Sequence, residues 1–256
     1  MTADLIDVLL SPEEAARPTL HLLRGPYLTV SGVRHEIPEG GKRLLAFVAL
    51  YGGRLDRRIA AGTLWPAGDD DRAAGNLRSA LWRLRHADID LIDVTRSTLS
   101  VRAGVNIDVQ LLTRWSTRPI TCTALPHDLL ATMSGVDGLT LLPGWYDDWV
   151  LVERERLRHR ILHGLEGLSR NLVRAGRCAD GVDAAMIAVA AEPLRESAQR
   201  TLLEAHLAEG NWAEAQRSFL AYRKLLMREL GVEPDAQLAA VLDLAARQQL
   251  AQPGRR

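Results

Sequence analysis

The chain has 256 residues, with 32 Lys/Arg, 32 Asp/Glu and 47% apolar residues, which is the size and composition of one large or two ordinary globular domains. Its formal net charge of zero gives no global signal for a nucleic-acid or membrane partner. Apolar runs are a few residues long, against the roughly 20 needed to span a bilayer, and "MTADLIDVLLSPEEAARP" has acidic flanks where a secretory signal needs a basic start. No membrane association is expected. Cys122 and Cys178 form no C-x-x-C unit and fit free thiols in a reducing compartment, although one disulfide would also fit, so the expected location is cytoplasmic.

Residues 1–18 read as an acidic tail, with four acids and one arginine. "LHLLRGPYLTV" then holds two short apolar runs around Gly25-Pro26, and "SGVRHEI" alternates through Val33, His35 and Ile37, which predicts a three-stranded meander. "GGKRLLAFVALYGG" predicts a helix preceded by Gly40-Gly41 and ended by Gly52-Gly53 at the C-cap position. Asp56 is placed to N-cap a second helix over "RRIAAGTLW", stopped by Pro66. Asp69, Asp70 and Asp71 precede a third helix, "AAGNLRSALWRLRHAD", where negative charge favours a helix N-terminus. "LIDVTRSTLSVRAG" alternates and breaks at Arg96-Ser97-Thr98, a β-hairpin. This order of strands, three helices and a hairpin is that of a winged helix-turn-helix with an N-terminal antiparallel sheet, assigned to residues 19–109.

Residues 110–140, with Pro119, Pro126, Gly135 and "STRPITCTA", read as a connector carrying helix near 108–115 and 127–133. From 141 to 250 the pattern is helical, and 251–256 is a tail. "AGRCADGVDAA" and "EGNWAEAQRSF" align at an offset of 34 residues, so that Gly176 maps to Gly210 and Leu168 to Leu202. That is the tetratricopeptide period. The expected fold is therefore mainly α with a small β component: a winged helix, then an all-α tetratricopeptide-like domain.

Splitting the charge by segment locates a signal that the total conceals. Residues 19–109 carry thirteen Lys/Arg against ten Asp/Glu, residues 141–250 carry fourteen against sixteen, and 72–86 alone hold four arginines and no acid. On a helical wheel Leu77, Leu81 and Leu84 face inward. Arg72, Gly75, Ser79, Trp82, Arg83 and His86 face outward, with Asn76, Arg78 and Arg85 on the flanks. A solvated helix face usually mixes charge signs. A basic face with a tryptophan, on the third helix of such a series, fits the DNA major groove. Asn76, Arg78, Ser79, Trp82, Arg83 and His86 are the candidate DNA-binding residues, with Arg96 at the hairpin tip. Trp82 is read either as a DNA contact or as a lid on the protein's own core. Lys42, Arg43, Arg57 and Arg58, at helix starts, are either phosphate contacts or solvated charges.

Catalytic patterns are lacking. "GGKR" at 40–43 misses the spacing and the Ser/Thr of a phosphate loop. His159 and His163, with Glu155 a turn earlier, read as a surface stripe rather than a metal face. No metal, no cofactor and no enzymatic activity are expected.

The stretches "KRLLAFVALYGGRLDRRIAAGTLWP", "AAGNLRSALWRLRHAD", "LLPGWYDDWVLVERERLRHRIL" and "YRKLLMRELGVEPDAQL" resemble the SARP-type bacterial transcriptional activators, an OmpR-like winged helix followed by a bacterial transcriptional activator domain. The resemblance implies an activator that binds direct repeats in double-stranded DNA upstream of a promoter and recruits RNA polymerase through sigma-factor and core contacts. It implies a homodimer, at least on DNA, and a place at the nucleoid. It also makes Asp69, Asp70 and Asp71, in the loop between the second and third helices, candidate polymerase contacts. The nucleotide-binding module of larger members has no counterpart in the sequence, so ATP control is not expected. The competing reading is a tetratricopeptide-type interaction module whose winged helix does not read DNA.

Overall fold

The structure is a computed structural model that describes residues 9–120 and 140–250. The fold is mainly helical, with small sheets confined to the N-terminal half. Two compact units are present. One comprises described residues 9–112 and 140–157, and the other comprises described residues 113–120 and 158–250.

The first unit opens with a short helix, α1 (Pro12–Ala15), closed by a capping box between Ser11 and Glu14. Strands β1 (Thr19–His21), β2 (Tyr27–Val30) and β3 (Val33–His35) form the meander, with Leu20 opposite Leu28 and Thr29 opposite Arg34. The expected alternation at Val33 and His35 is not expressed as burial, because β3 is the sheet edge and all three of its residues are exposed. A fourth strand, β7 (Asn106–Ile107), pairs parallel to β1. Asn106 fixes this join, its amide donating to the Glu14 carbonyl at 2.7 Å and to Thr19 Oγ1 at 3.3 Å.

Helix α2 (Glu39–Tyr51) buries Leu44, Leu45, Phe47 and Val48 and ends at Gly52, whose φ of 69° is the left-handed C-cap conformation. The helix starts earlier than the sequence predicts, so Gly40 and Gly41 lie inside its first turn. Strand β4 (Leu55–Asp56), β5 (Ile92–Val94) and β6 (Thr98–Val101) form a second sheet in the order β4–β6–β5. Between β4 and β5 lie α3 (Arg57–Leu64) and α4 (Asp70–His86). Helix α5 (Asp108–Ile120) begins on a fully buried carboxylate. Asp108 Oδ2 accepts from the backbone N–H groups of Leu22 and Leu23, both at 2.8 Å, and so ties the start of α5 to the chain just after β1.

Residues 140–157 return to this unit. Leu142 N–H donates to the Leu22 carbonyl at 2.9 Å, and Arg24 N–H donates to the Thr140 carbonyl at 3.0 Å. Helix α6 (Asp148–Arg174) supplies Arg154, whose guanidinium donates to the carbonyls of Leu141, Leu142 and Trp145. Trp149 meets Phe47 edge-on at 5.1 Å.

In the second unit, α6 beyond Leu157 is followed by α7 (Cys178–Ala191), α8 (Glu196–Glu209), α9 (Trp212–Leu230) and α10 (Ala236–Leu250). The 34-residue period is visible as two helix–turn–helix units. Gly176 (φ 77°) turns α6 into α7, and Gly210 (φ 85°) turns α8 into α9. The matching small residues Gly181 and Ala215 are both buried, and a Cβ on Gly181 would lie 2.8 Å from Val173 Cγ2. Helix α5 therefore holds in the expected connector, while the helix expected near 127–133 lies outside the described residues.

Candidate nucleic-acid interface

Two capped helices and a hairpin build the site. Asp56 caps α3 by accepting from Arg58 N–H at 2.7 Å and Ile59 N–H at 3.3 Å. Asp69 caps α4 by accepting from Arg72 N–H at 2.8 Å. Between them the chain breaks at Trp65-Pro66, where the helix cannot continue. Helix α4 buries Ala73, Leu77, Ala80, Leu81 and Leu84, which fixes its rotation about its own axis.

That rotation leaves Arg78, Ser79, Trp82, Arg83, Arg85 and His86 exposed, with Asn76 half-buried. Trp82 is 62% exposed, so it does not cover the core. Its indole stacks on the His86 ring instead, with centroids 4.9 Å apart and planes 10° from parallel. The Ser79 hydroxyl donates to the Gly75 carbonyl at 3.1 Å, leaving only its lone pairs outward. Arg83 leans back across the first turn of α2. A Cβ added to Gly40 would lie 2.8 Å from Arg83 Cδ and 3.0 Å from Cζ.

The hairpin turn places Arg96 at its exposed tip. Thr95 and Thr98 lock the turn, with Thr98 N–H donating to Thr95 Oγ1 at 2.9 Å. Arg57 joins α3 to this turn, its backbone N–H donating to the Ser97 carbonyl and its guanidinium to the Thr95 carbonyl at 3.1 Å. A cleft of about 480 Å³ opens between α3, α4 and the hairpin, and Arg57, Arg58, Arg78 and Arg96 converge on it with Asp70 and Asp71.

The charge pairing is uneven. Among the described residues, Arg58, Arg72, Arg78, Arg83, Arg85 and Arg96 make no ion pair. Arg102, away from this face, bridges Asp90 and Asp93, and its guanidinium is held above its ordinary pKa chiefly by the hydrogen bond to Asp90. In the second unit Arg177, Arg195, Arg217 and Arg223 each pair with a carboxylate.

Arg43 requires a correction. It is not a free cation at a helix start, because its guanidinium pairs with Asp147 and donates to the Leu64 carbonyl at 3.1 Å, inside the unit. Lys42 is half-buried and pairs with Glu39 at 2.7 Å. Asp69 is occupied as a cap, while Asp70 and Asp71 are exposed. Arg72 and Arg85 were not among the candidate contacts, although they belong to the same acid-free run. Gly40 carried a signal too: glycine inside a helix turn is disfavoured by about 1 kcal/mol and calls for a reason.

The chain thus carries a winged helix with an unbalanced arginine face in its first unit and helical repeats of 34 residues in its second. Residues 135–243 match the family model of the bacterial transcriptional activator domain. Among solved structures the chain is similar to Mycobacterium tuberculosis EmbR, determined in complex with a low-affinity phosphopeptide. That match has a TM-score of 0.68 at 16% identity and covers 93% of this chain and 66% of EmbR, and it shows the shared fold. No curated protein matches the chain. The family match begins at 135, whereas residues 140–157 fold with the winged helix. No helix among the described residues is long and apolar enough to cross a membrane.

Proposed function

We propose that the chain is a sequence-specific activator that binds direct repeats in double-stranded DNA upstream of a promoter and recruits RNA polymerase. The observation that carries this is the set of arginines on α3, α4 and the hairpin tip that make no ion pair among the described residues, around an exposed tryptophan. Unbalanced guanidinium groups on one face repel one another unless an anion lies against them. The phosphate backbone supplies that charge, and base edges supply direction. In this reading Asn76, Arg78, Ser79, Trp82, Arg83 and His86 enter the major groove. Arg57, Arg58 and Arg96 lie against phosphates, with Lys42 at the margin. Asp70 and Asp71 present charge for a basic surface of sigma factor or polymerase core. A homodimer forms on the repeated half-sites, in the cytoplasm at the nucleoid, and the chain performs no catalysis.

A second reading has one observation in its favour. Leu220, Met227 and Leu230 are 52%, 44% and 60% exposed and share one side of α9, as a docking face for another protein would. One experiment separates the two. The chain is titrated onto duplexes selected from a random pool, at several salt concentrations. The activator reading expects affinity to fall steeply with salt, and Arg96→Ala to lower that slope by about one. Salt-insensitive binding, or wild-type behaviour of the variant, refutes the DNA role.

A further inference from the structure

We propose that the stacked Trp82–His86 pair is a thymine-reading element, in which the indole of Trp82 covers the C5-methyl group of a T·A pair. This rests on the DNA reading of α4 given above and adds to it the identity of the base.

Ser79, Trp82 and His86 follow one another at steps of three and four, so they form a single stripe opposite the buried Leu77, Leu81 and Leu84. Arg72, seven residues before Ser79, heads this stripe, and the other arginines of α4 lie off it. Arg83 is drawn to one side, against Gly40, while Arg78 and Arg85 fall on the other. A helix seated in the major groove turns its flanks to the two phosphate ridges and its central stripe to the groove floor. The middle of this stripe is therefore an aromatic plate. The imidazole of His86 lies parallel to the indole and covers one of its faces, which leaves the other face open.

The floor of the groove offers hydrogen-bond donors, acceptors and one apolar group, the thymine methyl. The face of an indole can satisfy none of the donors or acceptors, and covering them would cost their hydration. Ser79 adds no donor, since its proton is already given to the Gly75 carbonyl. Contact with a methyl group is the one arrangement that removes the exposed indole from water without burying an unmet polar edge.

The test uses the full chain and a duplex selected from a random pool, with each thymine replaced in turn by deoxyuridine. That change removes the methyl group and keeps the pairing. At one or two positions per half-site the wild type is expected to lose affinity about fourfold, the effect of burying one methyl group. Trp82→Ala should bind the parent site more weakly and be indifferent to deoxyuridine at those positions. Its salt slope should be unchanged, because no charge is removed. Trp82→Phe keeps a smaller aromatic face and should retain part of the sensitivity. If the wild type tolerates deoxyuridine everywhere while binding with a steep salt slope, the thymine assignment is overturned and the DNA reading stands. Undiminished sensitivity in Trp82→Ala overturns it equally. If the chain shows no selective binding at all, both fall together.

Discussion

Gly41 and Gly62 both lie inside helices, yet their alanine variants should move stability in opposite directions. In α2 a Cβ on Gly41 would lie 2.6 Å from Leu84 Cδ2 and 2.8 Å from Leu84 Cγ. Carbon atoms at rest stand about 3.5–4.0 Å apart, so α4 or the Leu84 side chain must retreat by about 1 Å. Leu84 is 2% exposed, so its side chain cannot retreat into solvent. Overpacking of this kind costs about 1–3 kcal/mol, against a helix-propensity gain of up to about 1 kcal/mol. The overpacking term wins, and Gly41→Ala should be destabilised by about 1–2 kcal/mol. A Cβ on Gly62, in α3, meets nothing within 4 Å, so Gly62→Ala should gain up to about 1 kcal/mol from propensity alone. Because the two units need not melt together, hydrogen exchange at the α2 and α4 amides is the appropriate readout. If Gly41→Ala exchanges as slowly as the wild type, or more slowly, the close-approach argument is wrong.

Gly40→Ala should displace Arg83 and change base preference at one position in a binding-site selection, and it should add nothing in an Arg83→Ala background, as a double-mutant cycle would reveal. Asp108→Ala strands the N–H groups of Leu22 and Leu23 in the core and should cost about 2–6 kcal/mol, measured by denaturant unfolding. Glu233 is held below its ordinary value of 4.5, mainly by the hydrogen bond from Arg223. A lowered native pKa stabilises the fold at pH values above 4.5, and that contribution disappears as pH falls through the native value. The stability difference between wild type and Glu233→Gln should therefore be present at neutral pH and close on acidification, in melts taken across that range.

The parts of this fold that were legible in the sequence are those with local causes. Gly52, Asp56 and Asp69 announce helix ends because capping is settled within three or four residues. Leu77, Leu81 and Leu84 set the rotation of α4 because a helix has a fixed period. Gly176 and Gly210 mark the repeat because each must reach a left-handed turn. What escaped has distant causes. Arg43 looked like a free cation because Asp147, its partner, lies 104 residues further on. The two-residue strand β7 has no periodicity of its own and exists through Asn106 and its pairing with β1. Gly40 and Gly41 read as punctuation before a helix, since the side chains that need their bare Cα atoms arrive more than forty residues later. The wheel places Trp82 outward but does not fix its rotamer, and so could not show that the indole stacks on His86 rather than folding back over the core.

The return of residues 140–157 has a consequence for the order in which the molecule is made. Leu22, Leu23, Arg24, Arg43 and Phe47 find partners in that segment, yet residues 113–139 are synthesised first. At about 5–20 residues per second, the 45 residues from Leu112 to Leu157 take about 2–9 s to add. During that interval the nascent winged helix lacks the Asp147 carboxylate for Arg43 and the indole of Trp149 against Phe47. Its final packing waits until the first turns of α6, which continue into the helical repeats, have been translated.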